Sequence, residues 1–383
     1  MILELRLSNM FSIRDEAAVS FQAAPIRTKA AQDLEGNTFT EGDELLLKTV
    51  ALYGANGSGK SSFLKALREC VRIIRESCRY NSDTVFGIRP FRSDGFQDRP
   101  GSFYVRFILD GVEYEYSFTL TPEEILTESL FYYPNGRKAL VFSRDESKGP
   151  DKGSVYRFRN AIPRPMDVAI NTSRKTLFLS RAGELGRELT SRIFLMFCRD
   201  MVFGFPDESD PSFFRMVHEH RDELAAALRA VGSDITDIRA GERSITAWHR
   251  QSPDIPFDFA TEESEGERRL VRMMLGIGDA LRNGRLLIAD NPFDGLHTML
   301  AEHLIRLFHA GDHAQLLFSS HDTRLLDLRL MRRDQICFVN KRRDGSSEIY
   351  SVFDYSDFRE TMNLEKAYLE GKFDAIPYIA GQA

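Results

Sequence analysis

The chain has 383 residues, 42% of them hydrophobic and 28% charged, with a formal net charge of −6. That balance excludes a disordered or membrane class, and it excludes a surface that seeks polyanions as a whole, so nucleic acid would need a local basic patch. The opening MILELRLSNMF lacks a signal peptide's basic region, no apolar run reaches transmembrane length, and Cys70, Cys78, Cys198 and Cys337 are scattered without CxxC spacing; a cytoplasmic protein with reduced thiols and no membrane partner is expected.

Residues 2–21 read as two short strands around a turn, with ILELRLSN alternating and AVSF following the polar IRDE. Residues 45–54, LLLKTVALYG, form a buried strand run that stops at glycine. A helix is expected next, because Phe63, Leu64, Leu67, Val71 and Ile74 recur at helical spacing.

Between that strand and that helix stands GANGSGKS, which fits GxxxxGK[ST] in the context the motif requires. Its glycines let backbone N–H groups curl around a phosphate, and the helix start adds its positive dipole end. Lys60 is expected to reach the β and γ phosphates and Ser61 to ligate Mg²⁺. The expected nucleotide-binding set is Gly54, Asn56, Gly57, Ser58, Gly59, Lys60, Ser61 and Ser62. GTP is disfavoured: the nearest approach to NKxD, starting at Asn340, places Asp344 one residue too far along.

FYVRFIL and YEYSFTL, separated by Asp110-Gly111, predict a hairpin. Residues 159–241 change texture and predict an inserted helical subdomain, with Phe214, Val217, Leu224, Leu228 and Val231 as an apolar stripe and Asp210 or Ser212 as its cap. Strands and helices then alternate: GERRLVRMMLGIGDALRNG, RLLIAD, TMLAEHLIRLFHAG and QLLFSS, followed by a hairpin of QICFVN and EIYSVFD. His303, His309 and His313 are read as a solvated face of one helix. The pattern predicts an α/β protein with a largely parallel sheet, an antiparallel N-terminal β-subdomain and the helical insertion, divided as residues 1–158, 159–241 and 242–383.

Within the last stretch, ATEESEGERR sets Ser264 and Gly266 at a helix N-terminus, a second corner for an anion. LLIAD ends in Asp290, whose carboxylate can hold Mg²⁺ through water. LLFSSHD brings His321 to the end of another apolar strand.

The order GANGSGKSS, ESEGERR, LLIADNPFDGLH, LLFSSHD resembles an ATPase with an ABC-type head, as in the SMC, RecF and OLD relatives. It is most similar to the compact AAA-labelled, ABC-like bacterial ATPases that include RloA and AbiL-type proteins of phage-defence loci, which share the opening strands, the PFR element at Pro90, Phe91 and Arg92, ESxG before a helix, and a terminal hairpin. The resemblance implies that Lys60, Ser61 and Asp290 hold Mg-ATP in cis, that Ser264 and Gly266 close over it from a second subunit, and that His321 senses the γ-phosphate. It implies a homo-oligomer with ATP sandwiched between heads and a nuclease-like effector from the same locus. A RecF-like DNA-binding repair ATPase is the alternative. The family's loop glutamine is not identifiable: Gln97 and the PFR segment both suit its place.

One departure matters. The family carries glutamate after the aspartate, where it orients the attacking water; this chain carries Asn291, which cannot accept a proton. Either hydrolysis is slow and ATP acts as a clamp, or another carboxylate, with Asp294 the nearest, takes the role. The basic residues around the terminal hairpin, Arg329, Arg332, Arg333, Lys341, Arg342 and Arg343, read as a solvated edge or as a contact for nucleic acid or an acidic partner. No second catalytic constellation stands out, so any cutting would fall to another polypeptide.

Overall fold

The computed structural model describes residues 1–242, 244–359 and 362–376. Its centre is a six-stranded sheet in the order Met201–Phe203, Leu286–Ala289, Gln315–Ser320, Thr49–Tyr53, Ile336–Lys341, Ser347–Ser351. The first five run parallel and the last pairs antiparallel as a hairpin arm. Strands buried on both faces must be apolar throughout, and the sequence supplies that: TVALY and LLIA are buried at every position.

Alternation along these strands divides the protein into layers. Val50, Leu52, Leu286 and Ile288 face a core shared with the phosphate-loop helix Lys60–Glu76 and a seven-stranded sheet. Ala51, Tyr53, Leu287 and Phe318 face the opposite core, built with the helices Glu265–Asn283 and Thr298–Ala310. The seven-stranded sheet is antiparallel in every pairing and includes the two N-terminal strands and the expected hairpin, Gly101–Leu109 with Val112–Leu120. This is an α/β fold with a largely parallel central sheet and an antiparallel N-terminal β-subdomain. Among the described residues no helix is long and apolar enough to cross a membrane.

Several local expectations are revised. The run 45–54 is two strands, not one: Glu44–Leu47 pairs with Thr38–Glu41, and Thr49–Tyr53 enters the parallel sheet. The break falls at buried Lys48, whose ammonium donates to His309 O at 2.9 Å. His309 is therefore not part of a solvated face; its ring lies 2.9 Å from Thr49 Oγ1, and burial pushes its pKa down to about 3. Residues 159–241 distribute themselves: the helices before Met201 pack on the first core, Met201–Phe203 joins the parallel sheet, and Pro211–Glu219 and Arg221–Ala230 pack on the second. The expected stripe bends at His220, so Phe213 rather than Phe214 is fully buried, and Asp210 is the cap, accepting from Ser212 N.

Candidate nucleotide site

The strand order sets the site. Tyr53, Ala289 and Ser320 end three adjacent parallel strands, so Gly54, Asp290 and His321 emerge at the same edge of the sheet, where open α/β sheets bind their ligands.

The loop from Gly54 to Lys60 is built for close backbone approach. Gly54, Gly57 and Gly59 all have positive φ, at 154°, 75° and 119°. A Cβ on Gly59 would collide with Ser347 Oγ, and one on Gly54 with Val339 O, so the terminal hairpin is pressed against the loop. Ser347 Oγ donates to Ser58 O at 2.5 Å and bonds Ser12 Oγ at 2.8 Å. No local motif marks Ser347 or Ser12; the signal lies in pairing across more than 280 residues of chain.

Lys60 is buried and donates to Gly54 O at 2.7 Å and Ala55 O at 3.0 Å. Burial lowers its pKa to about 8, with the charge of Asp290 opposing the shift. Ser58 Oγ is buried and has no hydrogen-bond partner among the described residues. An orphaned hydroxyl, a desolvated ammonium and glycines that admit no side chain fit a phosphate chain at this loop. Ser61 is exposed at the first turn, where its hydroxyl is open to a metal.

Asp290 accepts a 2.5 Å hydrogen bond from Ser319 Oγ, and the same oxygen accepts from Asn291 N at 2.7 Å. Asn291 has φ 49°, the left-handed region that asparagine tolerates better than glutamate does. Asn291, Asp294 and His321 line one cavity of about 600 Å³ with Ser320, Asp322 and Arg324. Burial and the Lys60 charge lower the pKa of His321, while Asp290 and Asp294 pull it up, so these four charges share one field. Arg269, which sequence reasoning passed over, donates to Pro292 O at 2.8 Å and Asp294 O at 2.6 Å, tying the helix Glu265–Asn283 to the loop that follows Asn291.

Ser264 and Gly266 stand at the start of the helix Glu265–Asn283. Ser264 caps its own helix by accepting from Glu267 N at 3.1 Å, and among the described residues no hydrogen bond joins either to Lys60, Asp290 or His321. Gln97 and the PFR segment turn out to be neighbours: Gln97, Pro90 and Arg92 line one cavity with Phe11 and Lys65. Three of the basic residues around the terminal hairpin are paired with carboxylates. Arg332 is buried against Asp334, Arg329 pairs with Asp327, and Arg342 pairs with Glu348 and Asp15.

A phosphate loop, an aspartate and a histidine at adjacent strand ends define the class as that of P-loop nucleotide-binding proteins. Residues 50–327 match the family model described as "AAA domain, putative AbiEii toxin, Type IV TA system", and the chain belongs to that family. No curated protein matches it. Among solved structures it is similar to the SMC head domain from Thermotoga maritima, at 14% identity over 91% of this chain and 98% of that one with a TM-score of 0.42. It is likewise similar to an SMC head with an extended coiled coil bound to the C-terminal domain of ScpA from Pyrococcus furiosus, at 14% identity over 97% and 98% with a TM-score of 0.42.

Proposed function

We propose that the protein is an ATP-dependent switch in a bacterial anti-phage system, in which two heads close around ATP and thereby hold or release an effector protein, a nuclease-like one from the same locus. The observation that carries the reading is that the Ser264 corner is formed and capped within its own helix, while among the described residues it makes no hydrogen bond to Lys60, Asp290 or His321. A second copy can supply it. The family's description as a putative toxin of a toxin–antitoxin system supports the defence context.

In this reading Mg-ATP supplies the γ-phosphate whose presence or loss sets the switch. Lys60 and the loop N–H groups bind the phosphates, Ser61 and Asp290 hold the metal, and His321 donates to the γ-phosphate region. Asn291 can orient a water but cannot take its proton, which makes hydrolysis slow and the closed state long-lived. The RecF-like alternative loses support from the pairing of Arg329, Arg332 and Arg342 with carboxylates.

The test is size-exclusion with light scattering on the protein expressed with its genomic neighbours, with and without Mg-ATP. A dimer that needs ATP, is absent in Lys60→Ala and retains a co-purifying partner is expected. A monomer under both conditions overturns the two-headed reading, and steep salt-dependent duplex binding without a protein partner favours the repair reading.

A further inference from the structure

A cleft of about 940 Å³ opens on the other side of the phosphate-loop helix, between its C-terminal half, the helix Glu188–Arg199, the edge strand Met201–Phe203, the helix Pro211–Glu219 and the helix Glu265–Asn283. Seven arginines and four carboxylates line it, in a chain whose net charge is −6. Arg68, Arg72 and Arg75 stand at i, i+4 and i+7, which places three guanidiniums on one face of a single helix.

Their partners differ in a telling way. Arg72, Arg282 and Arg285 are each paired with a carboxylate. Arg68, Arg199 and Arg215 are exposed, and among the described residues none has a hydrogen bond or an ion pair. Arg75 is half-buried and spends its donors on two carbonyls, Phe197 O at 2.9 Å and Met201 O. Burial, helped by repulsion from Arg68, lowers its pKa. A cluster of this kind gains from an anion that can meet several guanidiniums together.

We propose that this cleft is a second anion site, separate from the phosphate loop, that takes a small phosphorylated ligand of nucleotide size. The volume lies within the range of small-molecule sites. Half-buried Phe203 and Phe205 offer a ring an apolar wall beside the charges. A long nucleic acid would leave the cleft and meet a protein of opposite preference, since the chain as a whole is acidic.

The site also touches two helices, the one that begins at the phosphate loop and the one that Ser264 caps. Arg68 and Arg75 belong to the helix that starts at Lys60. Gly276 belongs to the helix that Ser264 caps, and a Cβ there would meet Phe205 Cδ1 at 2.9 Å and Pro206 Cδ at 3.2 Å, so the cleft wall is pressed onto that helix. A ligand in the cleft bears on the spacing of the two, which gives the ATP site a route to a second chemical signal.

The experiment uses full-length Lys60→Ala protein, in which the phosphate loop is disabled, titrated with sodium tripolyphosphate by calorimetry. Saturable binding is expected, weakened about tenfold or more when Arg68→Glu and Arg199→Glu are added on that background. Both changes are at exposed positions, and circular dichroism checks that the fold is kept. Absence of saturable binding at millimolar tripolyphosphate, or an affinity untouched by the charge reversals, overturns the proposal. A third arm follows a short single-stranded oligonucleotide by fluorescence anisotropy. Tighter binding of the oligonucleotide than of tripolyphosphate, lost in the same charge-reversed protein, makes the cleft a nucleic-acid site and overturns the small-ligand assignment.

Discussion

Ser319 and Asp290 are joined by a 2.5 Å hydrogen bond in which the buried serine hydroxyl donates to the carboxylate, and the same hydroxyl receives the N–H of Asn291 at 2.7 Å. One side chain from the neighbouring strand therefore sets Asp290 and the residue after it. Ser319→Ala is expected to cost about 1–2 kcal/mol of stability, since it strips a hydrogen bond from two groups at once. It should also blunt the gain in nucleotide affinity that Mg²⁺ provides. Denaturant titration and nucleotide calorimetry with and without Mg²⁺ check both; an unaltered Mg²⁺ effect sinks the assignment of Asp290 to the metal.

Nucleotide affinity should fall with rising pH. Burial holds the free Lys60 near a pKa of about 8, and phosphate raises it again, so binding favours the protonated lysine. Below pH 8 the ammonium is already charged and affinity is flat. Above it, each binding event must take up a proton, and about a tenfold loss is expected by pH 9. Calorimetry in buffers of different ionisation enthalpy should detect that uptake, and Lys60→Ala should lose both the pH slope and nucleotide binding, the latter by about a hundredfold or more.

Asn291→Glu restores a carboxylate beside Asp290 and is expected to raise turnover about tenfold, the lower end of what a positioned base contributes. The gain comes against backbone strain: at φ 49° glutamate is less tolerated than asparagine, at a cost of about 1 kcal/mol. If Asp294, which lines the same cavity, is instead the working carboxylate, Asn291→Glu changes little and Asp294→Asn abolishes turnover. Single-turnover hydrolysis on the two variants separates the slow clamp from the substituted base.

Ser264→Arg should leave ATP binding intact, because among the described residues Ser264 makes no hydrogen bond to the phosphate loop in cis. The lost cap costs about 1 kcal/mol, and the bulky cation should block closure of two heads. Light scattering with Mg-ATP reads the outcome; a variant that still dimerises contradicts a role for Ser264 across the subunit boundary.

Much of this site was legible along the chain because its parts are local. The glycines of residues 54–59 serve turns and close approaches that no other residue fits, and the apolar runs before Gly54, Asp290 and His321 mark buried parallel strands. The helix starting at Lys60 and the cap at Ser264 follow from period and spacing in the same way. What stayed hidden depends on strand neighbours. Ser319 reads as one more residue of LLFSS until Gln315–Ser320 lies beside Leu286–Ala289, and Ser347 reads as turn chemistry until the hairpin arm reaches Ser58 and Gly59.

Charge showed the same limit. Arg332 looked like part of a basic surface and is buried on Asp334, while arginines 68, 199 and 215, unpaired among the described residues and apart in sequence, meet at one cleft. The sequence by itself determined the kind of elements and the chemistry each can carry, since both follow from short-range periodicity and from what a side chain is. Only the tertiary structure decided which side chains share a dielectric, because burial, pairing and pKa are properties of neighbours brought together by the fold.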